Sequence, residues 1–444
     1  MFLKRIMLFA MTALLMSAIA ACSSDEGISS SNDDRQSPPE SISSAAPQAS
    51  DQPVTIKIAM NAWLAEGEYE AYFERPVKER YPHMTLEFIN LSDPETNLEQ
   101  LLITNNIPDI VQSANPIIYV FTDTGMADNI EPLIEKHQFD LSKLNETAVE
   151  SVKTATGDDY LTGLPWTMHF NATYYNKDIF DRFGVDYPHD GMTWEEAREK
   201  AILLTRFEDG VQYRGLEPDV PSRMASIFGA GFVDVETNKA TLNTEGWRRA
   251  FSFIKSVYDI PGNEEFRWVP ASNNQFMIDQ TLAMLTSINL LPNFKDVEGL
   301  NWDMAQYPQF PDLPNTGMQV DEWILHVTKQ SEHKDEAFQV IATVLSEEVQ
   351  LEIARNARFP VMSSEQIQAE FGSNMPHLEG KNLRAAFLTN PAPALPASAL
   401  AGEGQSISQQ AFFRVMHEGQ DINSALAQAD EELNQKIAEI EAGK

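Results

Sequence analysis

Runs of alternating apolar and polar residues, followed by stretches with helical spacing, recur along the chain from residue 54 onward. This pattern predicts three strands and two intervening helices, at Val54–Met60, Glu68–Tyr81, Met84–Ile89, Asn97–Thr104 and Ile107–Val111. The β-α-β-α-β order predicts a parallel sheet with right-handed crossovers, and therefore an α/β fold. The alternation is less regular in the middle of the chain, and helical spacing dominates its last quarter.

The first 22 residues have a different pattern. Two basic residues precede an apolar run over Ile6–Leu15, which is too short to span a bilayer comfortably, so residues 1–21 are predicted to be a signal peptide. The run Ile19-Ala20-Ala21-Cys22 resembles the bacterial lipobox, a signal in which the cysteine is diacylated and begins the mature chain. The resemblance implies a lipid anchor on Cys22. The alternative is an ordinary signal peptide that happens to precede a thiol.

Residues 22–53 then form a polar segment rich in Ser, Asp, Gln and Pro. A segment with so few apolar side chains cannot bury enough surface to offset its ordering entropy, so we expect a flexible tether. No later apolar run has spanning length. We therefore expect a protein that is anchored to the cell membrane at its extracytoplasmic face and does not cross it.

Composition narrows the classes of function. The 444 residues carry 66 acidic and 32 basic side chains, a net charge of −34, and a single cysteine. The charge excludes a nucleic-acid binder that acts by neutralising phosphates, and argues against docking to an anionic bilayer through a basic face. One thiol can form neither an internal disulfide nor a cysteine-rich zinc site.

Several ordered motifs resemble the extracellular solute-binding protein family 1, the maltose-binding-like receptors of ABC importers. The strongest block runs from Leu164-Pro165-Trp166 through Tyr174-Tyr175-Asn176-Lys177 to Thr193-Trp194-Glu195-Glu196. Further matches in the same order as in the family are Tyr81-Pro82-His83, Ile107-Pro108-Asp109-Ile110-Val111, Leu282-Ala283-Met284, Lys334-Asp335-Glu336-Ala337-Phe338, Ser346-Glu347-Glu348-Val349-Gln350 and Pro360-Val361. Each motif alone is weak, whereas six in order behind a lipobox are strong.

The resemblance implies a two-lobed, periplasmic-binding-protein-like (type II) α/β fold with discontinuous lobes and a hinge. With crossovers placed near residues 163–166 and 287–292, lobe one would comprise residues 54–164 plus 291–339. Lobe two would comprise residues 165–290 plus 340–444. Within the strongest block, Thr193 is expected to cap a helix that has two glutamates in its first turn.

A search for catalytic chemistry finds little. The eight histidines show no i, i+3 or i, i+4 pairing, and no nucleophile elbow, P-loop or dinucleotide-binding motif is present. Acidic residues are so abundant that no carboxylate pair stands out as catalytic. We therefore predict a protein that is not an enzyme and has no catalytic residue, metal or cofactor.

A ligand cleft is the more plausible site. Sugar-like ligands need aromatic planes and planar polar groups, placed on loops at the carboxyl ends of strands. Residue type and predicted position select six ligand-binding candidates: Trp63, Asn115, Trp166, Asn289, Asp321 and Trp323. The resemblance implies a seventh, Arg223, which lies where the family has an aromatic wall in its second lobe. Burial in the core is the alternative for the tryptophans, and turn stabilisation is the alternative for the asparagines.

The leading hypothesis is a membrane-anchored, monomeric receptor that captures a carbohydrate or oligosaccharide between two lobes and delivers it to the transmembrane subunits of an ABC permease. The expected partners are therefore a small-molecule solute, that permease and the membrane, with no nucleic acid. Two alternatives remain open. One is a surface-anchored polysaccharide-processing enzyme, and the other is a receptor that presents ligand to a sensor.

Overall fold

The computed structural model describes residues 52–61, 64–264 and 269–443, which form two main β-sheets with helices on their faces. The described strands, in chain order, are β1 (Val54–Met60), β2 (Met84–Asn90), β3 (Ile110–Ala114), β4 (Leu164–Met168), β5 (Asn171–Asn176), β6 (Arg206–Glu208), β7 (Val211–Glu217), β8 (Val233–Asp234), β9 (Lys239–Ala240), β10 (Leu282–Ile288), β11 (Trp302–Gln306), β12 (Thr316–Gln319), β13 (Glu322–Val327), β14 (Phe359–Pro360) and β15 (Asn390–Ala392).

The described α-helices are α1 (Arg75–Arg80), α2 (Leu98–Ile103), α3 (Ile118–Asp123), α4 (Glu131–Lys136), α5 (Glu146–Thr156), α6 (Lys177–Phe183), α7 (Trp194–Leu204), α8 (Pro221–Ile227), α9 (Glu245–Tyr258), α10 (Val269–Asn274), α11 (Lys334–Val344), α12 (Glu347–Arg355), α13 (Glu365–Glu370), α14 (Ala401–His417) and α15 (Ile422–Gly443). Two π-helical turns lie at Glu70–Glu74 and Gln275–Asp279. Short 3-10 turns lie at Asn115–Ile117, Leu141–Lys143, Leu291–Asp296, Pro376–Leu378 and Leu383–Phe387. Within the described ranges, no helix is both long enough and apolar enough to cross a membrane.

The six-stranded sheet has the order β14-β4-β13-β3-β1-β2. Strand β1 pairs in parallel with β2 and β3, which confirms the parallel β-α-β-α-β start expected from the sequence. Strand β13 runs antiparallel to both β3 and β4, so the complete sheet is mixed. The third strand begins at Ile110 rather than at the predicted Ile107, because Pro108 has no N–H to donate to the sheet.

The five-stranded sheet has the order β11-β5-β10-β7-β6. Strand β5 runs antiparallel to β10 and β11, and β10 runs parallel to β7. Strand β5 leads directly into α6. The predicted cap on α7 is also confirmed. Thr193 accepts a hydrogen bond from the Glu196 N–H at 3.2 Å and donates its own N–H to the Glu196 carboxylate at 2.7 Å.

The chain passes between the two sheets at points that differ from the crossovers placed by sequence. Strand β4, from Leu164, pairs in the six-stranded sheet, and strand β11, from Trp302, pairs in the five-stranded sheet. The first passage is therefore residues 169–170, and the second is residues 320–321, which follow β12. A third passage, residues 371–389, leads from α13 to β15. Helices α11 and α12 pack with the six-stranded sheet, and α14 and α15 pack on α8 and α9. We accordingly propose lobe bounds of 54–168 plus 322–370 and 171–319 plus 390–443.

The apolar side chains of each region meet in continuous cores. Residues of β1, β3, β4 and β13 pack with α5, α11 and α12 in the largest core. A second core joins α8, α9, α14 and α15, and includes Leu426, Leu433 and Ile437 of the last helix. Because these cores hold the sheets and helices rigidly, the loops at the sheet edges are placed with little freedom.

Candidate functional site

The two main sheets face each other across the passages of the chain with one row of strand ends each. Each of these rows of strand ends forms a cleft edge of its sheet. In the six-stranded sheet, strand directions bring the carboxyl ends of β1, β3 and β4 to one edge, together with the start of β13. In the five-stranded sheet, the carboxyl ends of β7, β10 and β11 share an edge with the start of β5. Only two residues separate β4 from β5, so these two edges must lie next to each other. Open α/β sheets bind ligands at such edges.

His169 lies at the base of this cleft, in the first passage. Its backbone N–H donates to the Asp321 carbonyl at 2.8 Å, which ties the first passage to the second. The imidazole ring lies 6.3 Å from the Trp323 ring in an edge-on arrangement. Burial lowers the pKa of His169, and Arg358 and Arg223 lower it further against the opposing effect of Asp321. A neutral imidazole at neutral pH follows.

Arg358 forms part of the wall on the side of the six-stranded sheet. Its guanidinium donates to a Glu68 carboxylate oxygen at 2.6 Å and lies 5.5 Å from the centre of the Trp323 ring. The Tyr72 hydroxyl donates to the other Glu68 oxygen at 3.0 Å. The arrangement places a cation, an aromatic face and a carboxylate together, which suits a ligand with both apolar and hydroxyl-bearing faces.

Arg223 forms part of the opposite wall. It lies in α8, immediately beyond β7, and its Nε donates to the fully buried Asp219 carboxylate at 2.6 Å. The buried Tyr307 hydroxyl donates to the other Asp219 oxygen at 3.0 Å. Because Asp219 also accepts from the Val220 N–H, it is held by three partners and fixes the direction of the Arg223 guanidinium. One fifth of the Arg223 side chain remains exposed.

A buried polar network underlies this second wall at the end of β7. The Glu217 carboxylate accepts hydrogen bonds from the Arg214 guanidinium, the Tyr258 hydroxyl and the Ser272 hydroxyl, each at 2.8 Å. Burial raises the pKa of Glu217, while Arg214 and the hydroxyl donors oppose the shift. A cavity of about 20 Å³ lies between this network and Arg223, enough for a single water.

Asn115 and Glu322 meet at the opposite edge, where β3 ends and β13 begins. Asn115 donates its side-chain amide to the Glu322 carboxyl at 2.9 Å and to the Val320 carbonyl at 3.3 Å. Glu322 also contacts the Ser151 hydroxyl of α5. The pKa of Glu322 is raised to about 8, chiefly by burial and also by the neighbouring Asp321, against the opposing effect of the contacts with Ser151 and Asn115.

The structure places the predicted site residues in different environments. Arg223, Asp321, Trp323 and Asn115 all lie at the two facing edges, with Asn115 and Trp323 almost fully buried. Trp166 is fully buried, and its ring packs on Phe73 and Trp323 at centroid distances of 5.4 and 6.0 Å. Asn289 donates to the Ala357 carbonyl at 2.9 Å and accepts from the Leu291 N–H at 3.0 Å, so both ends of its amide are used within the fold. Cys22 and Trp63 lie outside the described residues.

Three residues at the site were not singled out by the sequence: Glu68, Asp219 and Arg358. Glu68 and Arg358 are 290 positions apart, so no local spacing pattern could have paired them. Asp219 is one of many acidic residues, and only its burial at the end of β7 distinguishes it. Among the described residues, no group of three or more His, Cys, Asp or Glu side chains is arranged to hold a metal ion.

A larger cavity, of about 120 Å³, adjoins the passages between the sheets. Its lining includes His169, Asn171, Gln319, Phe359 and Thr389. Gly317 lies against it, and a Cβ there would stand 2.7 Å from Thr389 and 2.9 Å from Asn171. Since the lining comes from the segments that connect the sheets, any rotation of one sheet relative to the other must change its shape.

Comparisons with known proteins agree with this architecture. The family described as bacterial extracellular solute-binding protein matches residues 65–351. A candidate binding protein of Brucella abortus (strain 2308) is 24% identical over 221 residues, which cover 48% of this chain and 53% of that protein. The chain thus spans about half the length of the curated relatives it matches.

Solved structures match over more of the chain. An ABC substrate-binding protein of Listeria monocytogenes in complex with cycloalternan has a TM-score of 0.66 at 18% identity, covering 87% of this chain and 100% of that one. The cyclic alpha-maltosyl-1,6-maltose binding protein of Arthrobacter globiformis has a TM-score of 0.70 at 16% identity, over 87% and 99%. The sugar-binding protein MalE of Xanthomonas citri has a TM-score of 0.68 at 20% identity, over 87% and 98%.

At these identities the structural likeness establishes the fold alone, a two-lobed type II periplasmic-binding-protein fold with a cleft between its lobes. The family match covers well over half of the chain. The chain therefore belongs to the bacterial extracellular solute-binding protein family.

Proposed function

We propose that this protein is the solute receptor of an ABC importer and captures a carbohydrate or oligosaccharide between its two lobes. The observation that carries the proposal is the pair of facing edges, on which Trp323, Arg358 and Glu68 stand opposite Arg223 and its buried partner. Aromatic faces contact the C–H faces of sugars, and oriented charged groups bind their hydroxyls. The three similar structures named above are each described as a substrate- or sugar-binding protein, which supports the same ligand class.

Binding would proceed by closure of one lobe over the other. The passages at 169–170 and 320–321 are short enough to serve as hinge segments, and the hydrogen bond from His169 to Asp321 links them. A ligand drives closure only if it binds the closed state more tightly than the open state. We propose Arg223, Asp321 and Trp323 as ligand contacts, together with Trp63. We assign Trp166 and Asn289 to supporting the fold.

The test is a thermal-shift and calorimetry panel of mono- and oligosaccharides, with amino acids, oligopeptides and polyamines as the comparison set. We expect at least one saccharide to raise the melting temperature and bind with 1:1 stoichiometry. Arg223→Ala should weaken that binding, while Arg182→Ala, a surface arginine paired with Glu208 and Asp209, should leave it unchanged. A shift produced only by an amine or a peptide would overturn the carbohydrate assignment. Turnover of a bound saccharide would indicate the enzyme alternative.

We also propose that the protein is held at the extracytoplasmic face of the membrane by acylation of Cys22 and delivers its ligand to a permease. Two acyl chains give stable anchoring at about 0.8 kcal/mol per buried CH₂. Metabolic labelling with a fatty acid should mark the wild-type chain and not Cys22→Ala. Loss of saccharide uptake in a deletion strain, restored by the wild-type gene, would separate transport from ligand presentation to a sensor.

A further inference from the structure

Glu322 lies in an unusual position for a carboxyl group, since it is fully buried at the start of β13 where the cleft edge begins. Asn115 approaches it from the end of β3, and Ser151 approaches it from α5. Among the described residues its side chain forms no ion pair with a lysine, arginine or histidine. An ionised carboxylate without a cation is costly in such a place.

The hydrogen-bond geometry shows where a proton is needed. The Ser151 hydroxyl carries one hydrogen but lies within hydrogen-bond distance of two oxygens, the Ala148 carbonyl at 2.6 Å and a Glu322 carboxyl oxygen. A carbonyl and an ionised carboxylate can both only accept, so with Glu322 ionised the single Ser151 hydrogen leaves one of the two contacts without a hydrogen. If Glu322 is a neutral acid, it can donate to Ser151 while the Ser151 hydrogen goes to Ala148, and both contacts are then hydrogen bonds.

The other carboxyl oxygen completes the arrangement. It accepts from the Asn115 amide, whose second hydrogen is directed to the Val320 carbonyl. The neutral acid thus joins α5 to the end of β3 and fixes the orientation of Asn115. We propose that Glu322 acts as a neutral acid that positions Asn115 and the cleft edge around it for ligand closure. The role in ligand closure rests on the proposed function, whereas the protonation of Glu322 does not.

The charged groups around Glu322 oppose its ionisation or are occupied elsewhere. Burial and the like charge of Asp321, the residue immediately before β13, raise the pKa of Glu322 to about 8. From the first passage His169 contributes its backbone N–H to the Asp321 carbonyl. On α5, Ser151 faces the carboxyl, while Lys153 pairs with Glu131 at 3.1 Å. Asn115 is the side chain that approaches from β3, and Met168 is the backbone neighbour from β4.

The direct test is infrared difference spectroscopy of the full chain without ligand, comparing wild type with Glu322→Gln. Glutamine can donate to Ser151 and accept from Asn115, so it reproduces the neutral acid and should preserve the fold. We expect the wild type at pH 6 to show the C=O band of a neutral carboxylic acid that E322Q lacks, and this band to fade above about pH 8. The absence of any such difference would overturn the inference.

Asp321→Asn is the matched control for the effect of the neighbouring charge on the protonation of Glu322. Removing the adjacent like charge should lower the pH at which the band fades, while the band itself persists at pH 6. A carboxylate that is ionised at pH 6 in both chains would instead contradict the assignment of the proton. Neither measurement needs a ligand, so both hold even if the protein binds no saccharide.

The positioning role is tested with whichever saccharide binds in the panel. If only the protonated form closes, an apparent pKa of about 8 leaves roughly a tenth of the protein competent at pH 9, and affinity falls about tenfold. E322Q should bind like wild type at pH 6.5 and keep that affinity at pH 9. Equal losses in both proteins would show that Glu322 does not position the cleft edge, and failure of every saccharide would refute the proposed function instead.

Discussion

The ion pair between Arg214 and Glu217 should contribute far more to stability than the surface ion pairs of this acidic protein. Both side chains are almost completely buried beneath the cleft wall, and their charged atoms are 2.8 Å apart. Arg214 also donates to Gln275 at 2.9 Å. Removing one partner of a buried pair leaves an uncompensated charge and costs about 3–5 kcal/mol. We therefore expect Arg214→Met to lower the free energy of unfolding by about 3–4 kcal/mol.

The pH dependence gives this prediction a sign. Burial already raises the pKa of Glu217, and loss of Arg214 should raise it more. The folded R214M chain then holds a proton that the unfolded chain releases near the ordinary glutamate pKa. Stability of R214M should therefore fall, relative to wild type, as the pH rises from 5 to 8. A deficit that grows on acidification would contradict the argument.

A double-mutant cycle with Glu217→Gln isolates the interaction. Urea unfolding at pH 7 of wild type, both single variants and R214M/E217Q should give a coupling energy of about 2–3 kcal/mol, provided that the m value is unchanged. The control cycle is Lys255–Asp259, an exposed i, i+4 pair at 2.6 Å. Exposed pairs of this kind contribute about 0.3–0.5 kcal/mol. A buried coupling no larger than the surface coupling would refute the reasoning.

Two further predictions concern packing. A Cβ on Gly215 would stand 2.2 Å from the Ala201 carbonyl oxygen, so Gly215→Ala should abolish or strongly reduce soluble expression. The control is Gly402→Ala, whose Cβ would meet no atom within 4 Å. It should change the free energy of unfolding by less than about 1 kcal/mol. The Trp166 indole N–H is buried without a hydrogen-bond partner among the described residues. Trp166→Phe should therefore cost clearly less in urea unfolding than the roughly 3–5 kcal/mol expected for Trp166→Ala, and equal costs would contradict this packing argument.

Local physical chemistry made much of the first half of the fold readable from sequence. Alternation placed β1 within its observed bounds, and Thr193 with Glu196 marked the start of α7. These features depend on neighbours a few positions apart, which is why one sequence suffices to find them. The parallel pairing of β1 with β2 and β3 followed from the order of elements alone.

Long-range pairing could not be read in the same way. Strand β4 belongs to the six-stranded sheet because β13, more than 150 positions later, provides its hydrogen-bond partners. Likewise, β11 belongs with β5 and not with the lobe that its position suggested. A strand carries the same pattern whichever sheet it joins, so the sequence could not locate the passages between sheets.

The candidate site likewise combines features that local sequence indicates with features that depend on long-range contacts. Residue type and position next to a predicted strand were enough to select Asp321 and Trp323, and the family resemblance added Arg223. The sequence could not show that Trp166 is fully buried, that both ends of the Asn289 amide are used within the fold, or that Glu68 pairs with Arg358. The sequence alone thus indicated the family, the fold class and some of the side chains at the cleft edges. Which side chains are buried, paired or held neutral was decided by tertiary structure, because desolvation and ion pairing depend on groups brought together from distant positions.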